Sequence, residues 1–115
     1  MHKENRLTRN RDFQRVYRKG RSFPCPHLVL IALRAHPKAK LVGFSVSKKI
    51  GNSVVRNRVK RRLREGFRGL LPRVLPGYCY VVVARTAAAE AGFQDLTRSL
   101  TRQLSRGKFL MDNRP

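Results

Sequence analysis

Residues 48–65 read Lys-Lys-Ile-Gly-Asn-Ser-Val-Val-Arg-Asn-Arg-Val-Lys-Arg-Arg-Leu-Arg-Glu, and this stretch decides both the fold and the surface that the fold presents. Eight cations and no acid precede Glu65, and between them stand the apolar residues Val54, Val55, Val59 and Leu63. A run of charge alone would repel itself and stay disordered. The interleaved apolar residues instead predict a folded segment with one buried side.

Within this stretch the spacing predicts a helix that Ser53 caps. At 100° per residue, one arc of about 120° holds Val55, Val59, Leu63 and Phe67. Outside that arc lie Asn57, Arg58, Lys60, Arg61 and Arg64, while its margins hold Arg56 and Arg62. A solvated charged face normally mixes Glu with Lys at i, i+4, whereas this helix has Glu65 as its one acid. The pattern therefore predicts a helix that is fixed to a sheet on one side and binds anions on the other.

The whole chain of 115 residues has the same basic character. It carries 27 Lys+Arg against 6 Asp+Glu, which gives a formal charge of +21 and a sequence pI of about 11.8. The cations are spread over several segments, which indicates a basic surface around the fold rather than one detachable tail. Because self-repulsion at this charge opposes compaction, the composition favours a polyanionic partner.

Several classes of function are disfavoured by what the sequence lacks. It has no apolar run of about 18 residues and no signal-peptide core, so we expect a cytoplasmic protein with no membrane contact. Cys25 and Cys79 are too few for a disulfide framework, and we expect two buried or half-buried thiols. The histidines have no metal-ligand spacing with them. The six acids stand singly, so we predict a binding subunit with no catalytic residue and no metal of its own.

The remaining segments predict a single domain with helices and strands. The predicted helices besides the basic one are Thr8–Lys19, capped by Thr8 or Asn10, and Phe93–Leu104, with a core stripe of Phe93, Leu96, Leu100 and Leu104. The predicted strands are His27–Leu33, Leu41–Ser47 and Tyr78–Ala84. Pro24 and Pro26 exclude Ser22–Pro26 from a central strand. Residues 105–115 lack periodicity, and we expect them to fray.

Two features besides the basic helix favour RNA as the polyanion. Phe13 and Tyr17 share one helix face among arginines; they are either plain core residues or a surface for unstacked bases. In Leu41–Ser47 the residues Gly43, Ser45 and Ser47 share one face, which is either an ordinary half-solvated face or room for a ligand backbone. Aromatic and small polar surface beside a cationic helix suits structured RNA with a single-stranded segment nearby.

Ser45–Arg61, Ser-Val-Ser-Lys-Lys-Ile-Gly-Asn-Ser-Val-Val-Arg-Asn-Arg-Val-Lys-Arg, is similar to the signature of the protein subunit of bacterial ribonuclease P. The likeness covers roughly residues 5–104, and it includes Asn5-Arg6-Leu7, Asp12-Phe13, the Phe13/Tyr17 pair, the strand Tyr78–Ala84 followed by Arg85, and the last helix. The Arg-Asn-Arg core with its lysines is the most specific part of the resemblance.

The resemblance implies a fold and an activity. The fold is a two-layer α/β sandwich over residues 1–115, with about four strands and three helices in the order α-β-β-(β)-α-β-α. A left-handed βαβ crossover surrounds the basic helix, against the general right-handed rule. The activity is removal of the 5′ leader from precursor tRNA by phosphodiester hydrolysis. The catalytic groups and Mg²⁺ are expected in a partner RNA, and no cofactor is expected on the protein alone.

The resemblance also implies two sites. The dock for the catalytic RNA consists of Lys48, Lys49, Asn52, Arg56, Asn57, Arg58, Lys60, Arg61 and Arg64. The cleft for the single-stranded leader consists of Phe13, Tyr17, Val29, Ile31 and Ser45. Ile31 stands where some members carry an aromatic residue, and Arg62 stands at an often aliphatic position and is assigned no RNA contact. The alternative function is a basic structural RNA-binding protein of ribosomal type; no DNA partner is expected.

Overall fold

The computed structural model describes residues 5–111, which form three α-helices and a four-stranded sheet. In chain order the elements are α1 (Asn10–Lys19), β1 (Arg21–Pro24), β2 (Leu28–Arg34), β3 (Lys40–Ser45), α2 (Ser53–Leu70), β4 (Tyr78–Ala84) and α3 (Phe93–Arg106). The predicted α/β class, helix number and element order are confirmed. The fourth strand, which the predicted element order gives in parentheses between the second strand and the basic helix, corresponds in the structure to the edge strand β1, which comes directly after α1.

The sheet is mixed, with the strand order β1-β2-β4-β3. The pairs β1/β2 and β2/β4 are antiparallel, whereas β3 and β4 are parallel neighbours joined through α2. The proline-containing strand β1 lies at an edge, where a missing backbone N–H is tolerated. The β3–α2–β4 connection is the expected βαβ crossover around the basic helix. That this crossover is left-handed stays a prediction.

The strands bury different side chains on their two faces. One face, covered by α2 and α3, holds the larger core, which includes Leu30, Val42, Tyr80, Val82 and residues of both helices. The other face holds a smaller cluster under α1, which includes Val16, Ile31 and Val81. The alternation predicted for β3 is confirmed, since Val42 is buried in the larger core and Phe44 packs against it; the strand ends at Ser45, two residues before the predicted end, although Val46 still packs against this core.

Both helix caps differ from the sequence prediction. Arg9 is the N-cap of α1 and makes no side-chain capping bond, so neither Thr8 nor Asn10 caps this helix. Asn52 caps α2, because its Oδ1 accepts a hydrogen bond from the Val55 backbone N–H at 3.0 Å. Ser53 is instead the first residue inside the helix. Asn and Ser are equally good N-caps, so the identity of these two adjacent residues does not indicate which of them caps the helix.

The predicted core stripe of α3 is correct for three residues and wrong for the first. Leu96, Leu100 and Leu104 are fully buried, whereas Phe93 is 45% exposed. Phe93 has the right helical angle but is the first residue of the helix, and only the later turns reach the core. The same helix buries Gln103, which the sequence did not indicate; its side-chain Oε1 accepts a hydrogen bond from Arg106 at 2.6 Å.

The expectation that residues 105–115 fray is wrong for residues 105–111, and residues 112–115 lie outside the described part. Phe109 is 2% exposed and packs edge-on against Phe23, Tyr78 and Tyr80 at centroid distances of 5.6, 5.0 and 5.5 Å. Its carbonyl accepts a hydrogen bond from the Leu75 N–H at 2.7 Å. A non-periodic segment can be anchored by one aromatic residue, which a periodicity argument does not detect.

The two thiols belong to opposite faces of the sheet. Cys79 is buried in the cluster under α1, whereas Cys25 is half-buried at the margin of the larger core. This arrangement agrees with the predicted pair of separate buried or half-buried thiols. Burial raises the pKa of the Cys79 thiol above its usual value, with the Arg15 charge opposing and the Asp12 charge adding to that rise.

Candidate RNA interface

The predicted RNA dock begins at the turn before α2 and follows the helix. Val59, Leu63 and Phe67 are fully buried and Val55 is half-buried, so the predicted apolar stripe fixes α2 to the sheet. The remaining side chains leave the helix in three directions. Because the helix carries cations on every turn, these directions decide which of them a ligand can reach.

The outward direction carries the most accessible cations and amides. The exposed members of the predicted dock are Lys48, Lys49, Asn52, Asn57, Lys60 and Arg61. Val54 lies among them and is 71% exposed, so it does not belong to the buried side of the stretch. The structure thus brings most of the predicted dock together on one continuous surface formed by one helix and its preceding turn.

One flank of α2 is occupied by the protein itself. Arg58 donates from Nη2 to the Ala89 carbonyl at 3.1 Å, and Arg62 donates from Nη1 to the Ala91 carbonyl at 2.8 Å. Both carbonyls belong to the segment around the 3₁₀ turn Thr86–Glu90 that precedes α3. Arg58 and Arg62 therefore tie this segment to α2, which is a role the sequence did not indicate for either.

The opposite flank of α2 opens onto a pocket at the free side of β3. Lys60 and Arg64 contribute to its wall, and residues 6–8 and Phe13 form the other side. Arg56, also half-buried, has an Nε with no hydrogen-bond partner in the described residues, as does Arg58. The helix thus has one flank whose guanidinium groups donate to carbonyls of the protein and one flank whose Lys60 and Arg64 line a pocket.

The predicted leader cleft lies on the α1 face of the sheet. Phe13 and Tyr17 are half-buried, with ring centroids 6.3 Å apart and planes inclined at 52°. The register places Val29, Val83 and Ser45 side by side across β2, β4 and β3, and all three are half-buried. These five residues form a partly covered, mostly apolar surface on the sheet face opposite the one that α2 covers.

Two expectations about this cleft need correction. Ile31 is 8% exposed and lies beside Val81 and Gly43 in the row that α1 covers, so it offers little surface to a ligand. The space above Gly43 is already filled, because an added Cβ would lie 2.4 Å from Phe13 Cζ. Val83 is the residue that sequence reasoning missed; strict alternation from the buried Val82 would have found it.

Within residues 5–111, the acids do not form ion pairs with these surfaces. In the described residues, Glu65 pairs with Arg68 at 2.7 Å and Asp95 pairs with Arg98 at 3.1 Å, and neither ion pair includes a residue of the predicted dock. Residues 5–111 contain no group of three or more His, Cys, Asp or Glu that could hold a metal ion, and no helix there is long and apolar enough to span a membrane. A surface of guanidinium and ammonium groups does not fit a Mg²⁺ site on the protein.

The fold and this surface define the class: a small basic α/β protein with a cationic helix on one face of its sheet and an aromatic cleft on the other. The chain belongs to the ribonuclease P family, whose model, described as Ribonuclease P, matches residues 1–108. It is 40% identical over 111 residues to the ribonuclease P protein component of Listeria innocua, covering 96% of this chain and 93% of that protein.

Solved structures agree with this assignment. The ribonuclease P protein from Staphylococcus aureus superposes with a TM-score of 0.83 at 32% identity, covering 100% of this chain and 98% of that one. The protein from Thermotoga maritima gives 0.80 at 27% identity, covering 88% of this chain and 96% of that one. The predicted family and fold are therefore confirmed.

Proposed function

We propose that this protein binds the single-stranded 5′ leader of precursor tRNA in the cleft beside α1 while α2 docks on the catalytic RNA. Family membership makes the chain the protein component of an endoribonuclease that works with ribonuclease P RNA in tRNA 5′ processing. The same match decides against the ribosomal-type alternative. The assignment of the leader to the cleft, and of Mg²⁺ to the active site of the RNA, belongs to the proposal.

The observation that carries the proposal is the half-covered row Val29–Val83–Ser45, bordered by Phe13 and Tyr17. Helix α1 covers the neighbouring row, so the open row forms a strip between the helix and the end of the sheet at which β3 and β4 finish. Aromatic and apolar side chains beside cations bind unstacked bases without requiring a particular sequence. A leader held there would add binding energy to the precursor that the mature tRNA does not receive.

The test compares the dissociation constants of precursor and mature tRNA, measured with the RNA subunit alone and with the holoenzyme. We expect the protein to tighten precursor binding more than mature tRNA binding. Tyr17→Leu is expected to weaken precursor binding by roughly 5- to 150-fold, the loss of one stacked base, and to leave mature tRNA binding unchanged. Phe93→Leu, which alters an exposed aromatic residue of α3 outside the cleft, is the matched control. Equal tightening of both tRNAs would contradict the leader assignment.

A further inference from the structure

The pocket at the free side of β3 joins residues from both RNA surfaces with residues from neither. Lys60 and Arg64 come from the dock and Phe13 comes from the leader cleft, whereas Arg6 and Thr8 belong to no site described above. We infer that this pocket binds one phosphodiester group of an RNA backbone. The inference rests on the proposed function only in taking RNA as the source of the phosphate.

The position of Arg6 and Thr8 follows from backbone pairing. Residues 5–7 extend the sheet beside β3: Arg6 forms a parallel bridge with Val42, and the Leu7 N–H donates to the Val42 carbonyl at 2.9 Å. The Asn5 side chain donates from Nδ2 to the Lys40 carbonyl at 3.0 Å. Leu7 is buried in the cluster under α1. Since side chains alternate along an extended segment, Arg6 and Thr8 face away from that cluster and toward α2.

The charge around the pocket is uncompensated within the described residues. Three cations line it, Arg6 and Lys60 and Arg64, and no acid is among the lining residues. The ion pairs Glu65–Arg68 and Asp95–Arg98 use other arginines. Like charges around one small space raise the free energy of the unliganded protein, and an anion placed among them relieves that repulsion.

The size and the remaining lining select the ligand. The pocket has a volume of about 210 Å³, below the roughly 300–1,000 Å³ of sites that enclose a drug-sized molecule. It therefore suits a phosphate with part of its ribose rather than a whole nucleotide. Phe13 offers an apolar edge to the sugar, and the Thr8 hydroxyl offers a hydrogen bond to a phosphate oxygen. Guanidinium groups on two sides can each bind phosphate oxygens in a forked arrangement.

The location gives the pocket a role in the assembly. One wall belongs to α2, the helix proposed to dock on the catalytic RNA, and the other belongs to residues 6–8 and to Phe13, which borders the leader cleft. A phosphate held there lies at the junction of the two RNA surfaces. It can come from the catalytic RNA or from the precursor, and both sources supply the same chemical group.

The first experiment tests the pocket without any RNA. Inorganic phosphate is titrated into the full-length protein while the backbone amides of Leu7, Thr8 and Gly43 are followed by NMR. We expect saturable shifts in the wild type and in the matched charge control Arg102→Gln, which alters an exposed residue of α3. Arg6→Gln is expected to weaken phosphate binding about tenfold, through loss of one charge-assisted contact. A protected Leu7 amide in Arg6→Gln shows that the segment stays paired with β3.

The second experiment identifies the source. Arg6→Gln is expected to lower the salt dependence, the slope of log K against log salt, by about 0.7–0.9 in one of two equilibria. A lower slope for protein binding to the RNA subunit assigns the phosphate to that RNA; a lower slope for precursor binding to the holoenzyme assigns it to the precursor. Equal behaviour of Arg6→Gln and Arg102→Gln in the phosphate titration and in both equilibria would overturn the inference. Failure of the proposed function would instead appear in the wild type, as equal tightening of precursor and mature tRNA.

Discussion

Arg58 and Arg62 stand four residues apart on α2, and so do Lys60 and Arg64, yet the two pairs have different surroundings. The first pair donates to the carbonyls of Ala89 and Ala91 and so ties the segment before α3 to the helix. The second pair faces a pocket at the sheet edge that the described residues leave uncompensated. One basic helix therefore carries one pair of cations that holds the protein together and another pair that stays available to a polyanion.

The difference shows that the charge of a side chain does not reveal its partner. All four residues lie outside or at the margin of the buried arc, and a helical projection treats them alike. The two flanks differ because one faces a turn with free carbonyl groups and the other faces the sheet edge. Variants that alter each pair separately can break or sharpen this distinction.

The largest effect is expected from Arg58→Met combined with Arg62→Met. Methionine keeps much of the apolar stem but leaves the carbonyls of Ala89 and Ala91 without their donors. We expect the free energy of unfolding to fall by about 2–4 kcal/mol for the pair, measured by urea denaturation. For the folded protein, the slope of log K against log salt for binding of the RNA subunit should change by less than about 0.7, the value expected for loss of one phosphate contact. Unchanged stability would contradict the role of these guanidinium groups in holding the segment before α3.

The opposite pair is expected to affect RNA binding rather than stability. Lys60→Gln combined with Arg64→Gln removes two phosphate contacts, each contributing about 0.7–0.9 to the salt slope. At physiological salt this amounts to roughly 15- to 30-fold weaker binding of the RNA subunit. The free energy of unfolding should stay within about 0.5 kcal/mol of the wild type, as expected for surface changes. A loss of stability equal to that of the first pair would remove the distinction between the two flanks.

The smallest effect is expected at the start of the helix. Asn52 was predicted to contact RNA, but its side chain also caps α2 through the Val55 N–H. Asn52→Ala should lower the free energy of unfolding by about 1 kcal/mol, whereas Asn52→Ser should restore most of it because serine is also a good cap. If Asn52→Ser matches the wild type in stability but binds the RNA subunit more weakly, Asn52 contacts RNA as well. Equal stability of Asn52→Ala and wild type would contradict the capping role.

Much of the fold was predictable because its signals are local. The periodicity of Val59, Leu63 and Phe67, the alternation of Val42 and Phe44, and the position of the prolines each follow from neighbouring residues. The resemblance added the sheet and helix number. The burial of Phe109 could not be predicted in this way, because it depends on three aromatic residues from distant parts of the chain.

The candidate site was predictable in its content but not in its arrangement. The sequence predicted which cations lie outside the buried arc, and it placed Phe13 and Tyr17 on one helix face. It did not show that Ile31 lies under α1 or that Val83 lies in the open row, because both depend on where α1 crosses the sheet. The carbonyl acceptors of Arg58 and Arg62 lie about 30 residues further along the chain, beyond the reach of any local pattern.

The pairing of residues 5–7 with β3 also affects the tendency of the protein to aggregate. Apolar strands with free edges are templates for strand addition between molecules, which leads to aggregation. Here the β3 edge carries a short parallel segment with a charged residue, Arg6, and the other edge is a four-residue strand ending in Pro24, which has no N–H to donate. The apolar central strands β2 and β4 are thereby kept away from both edges. Removing residues 5–7 would thus leave the outer edge of β3 unpaired and prone to aggregation, and it would also remove one wall of the pocket.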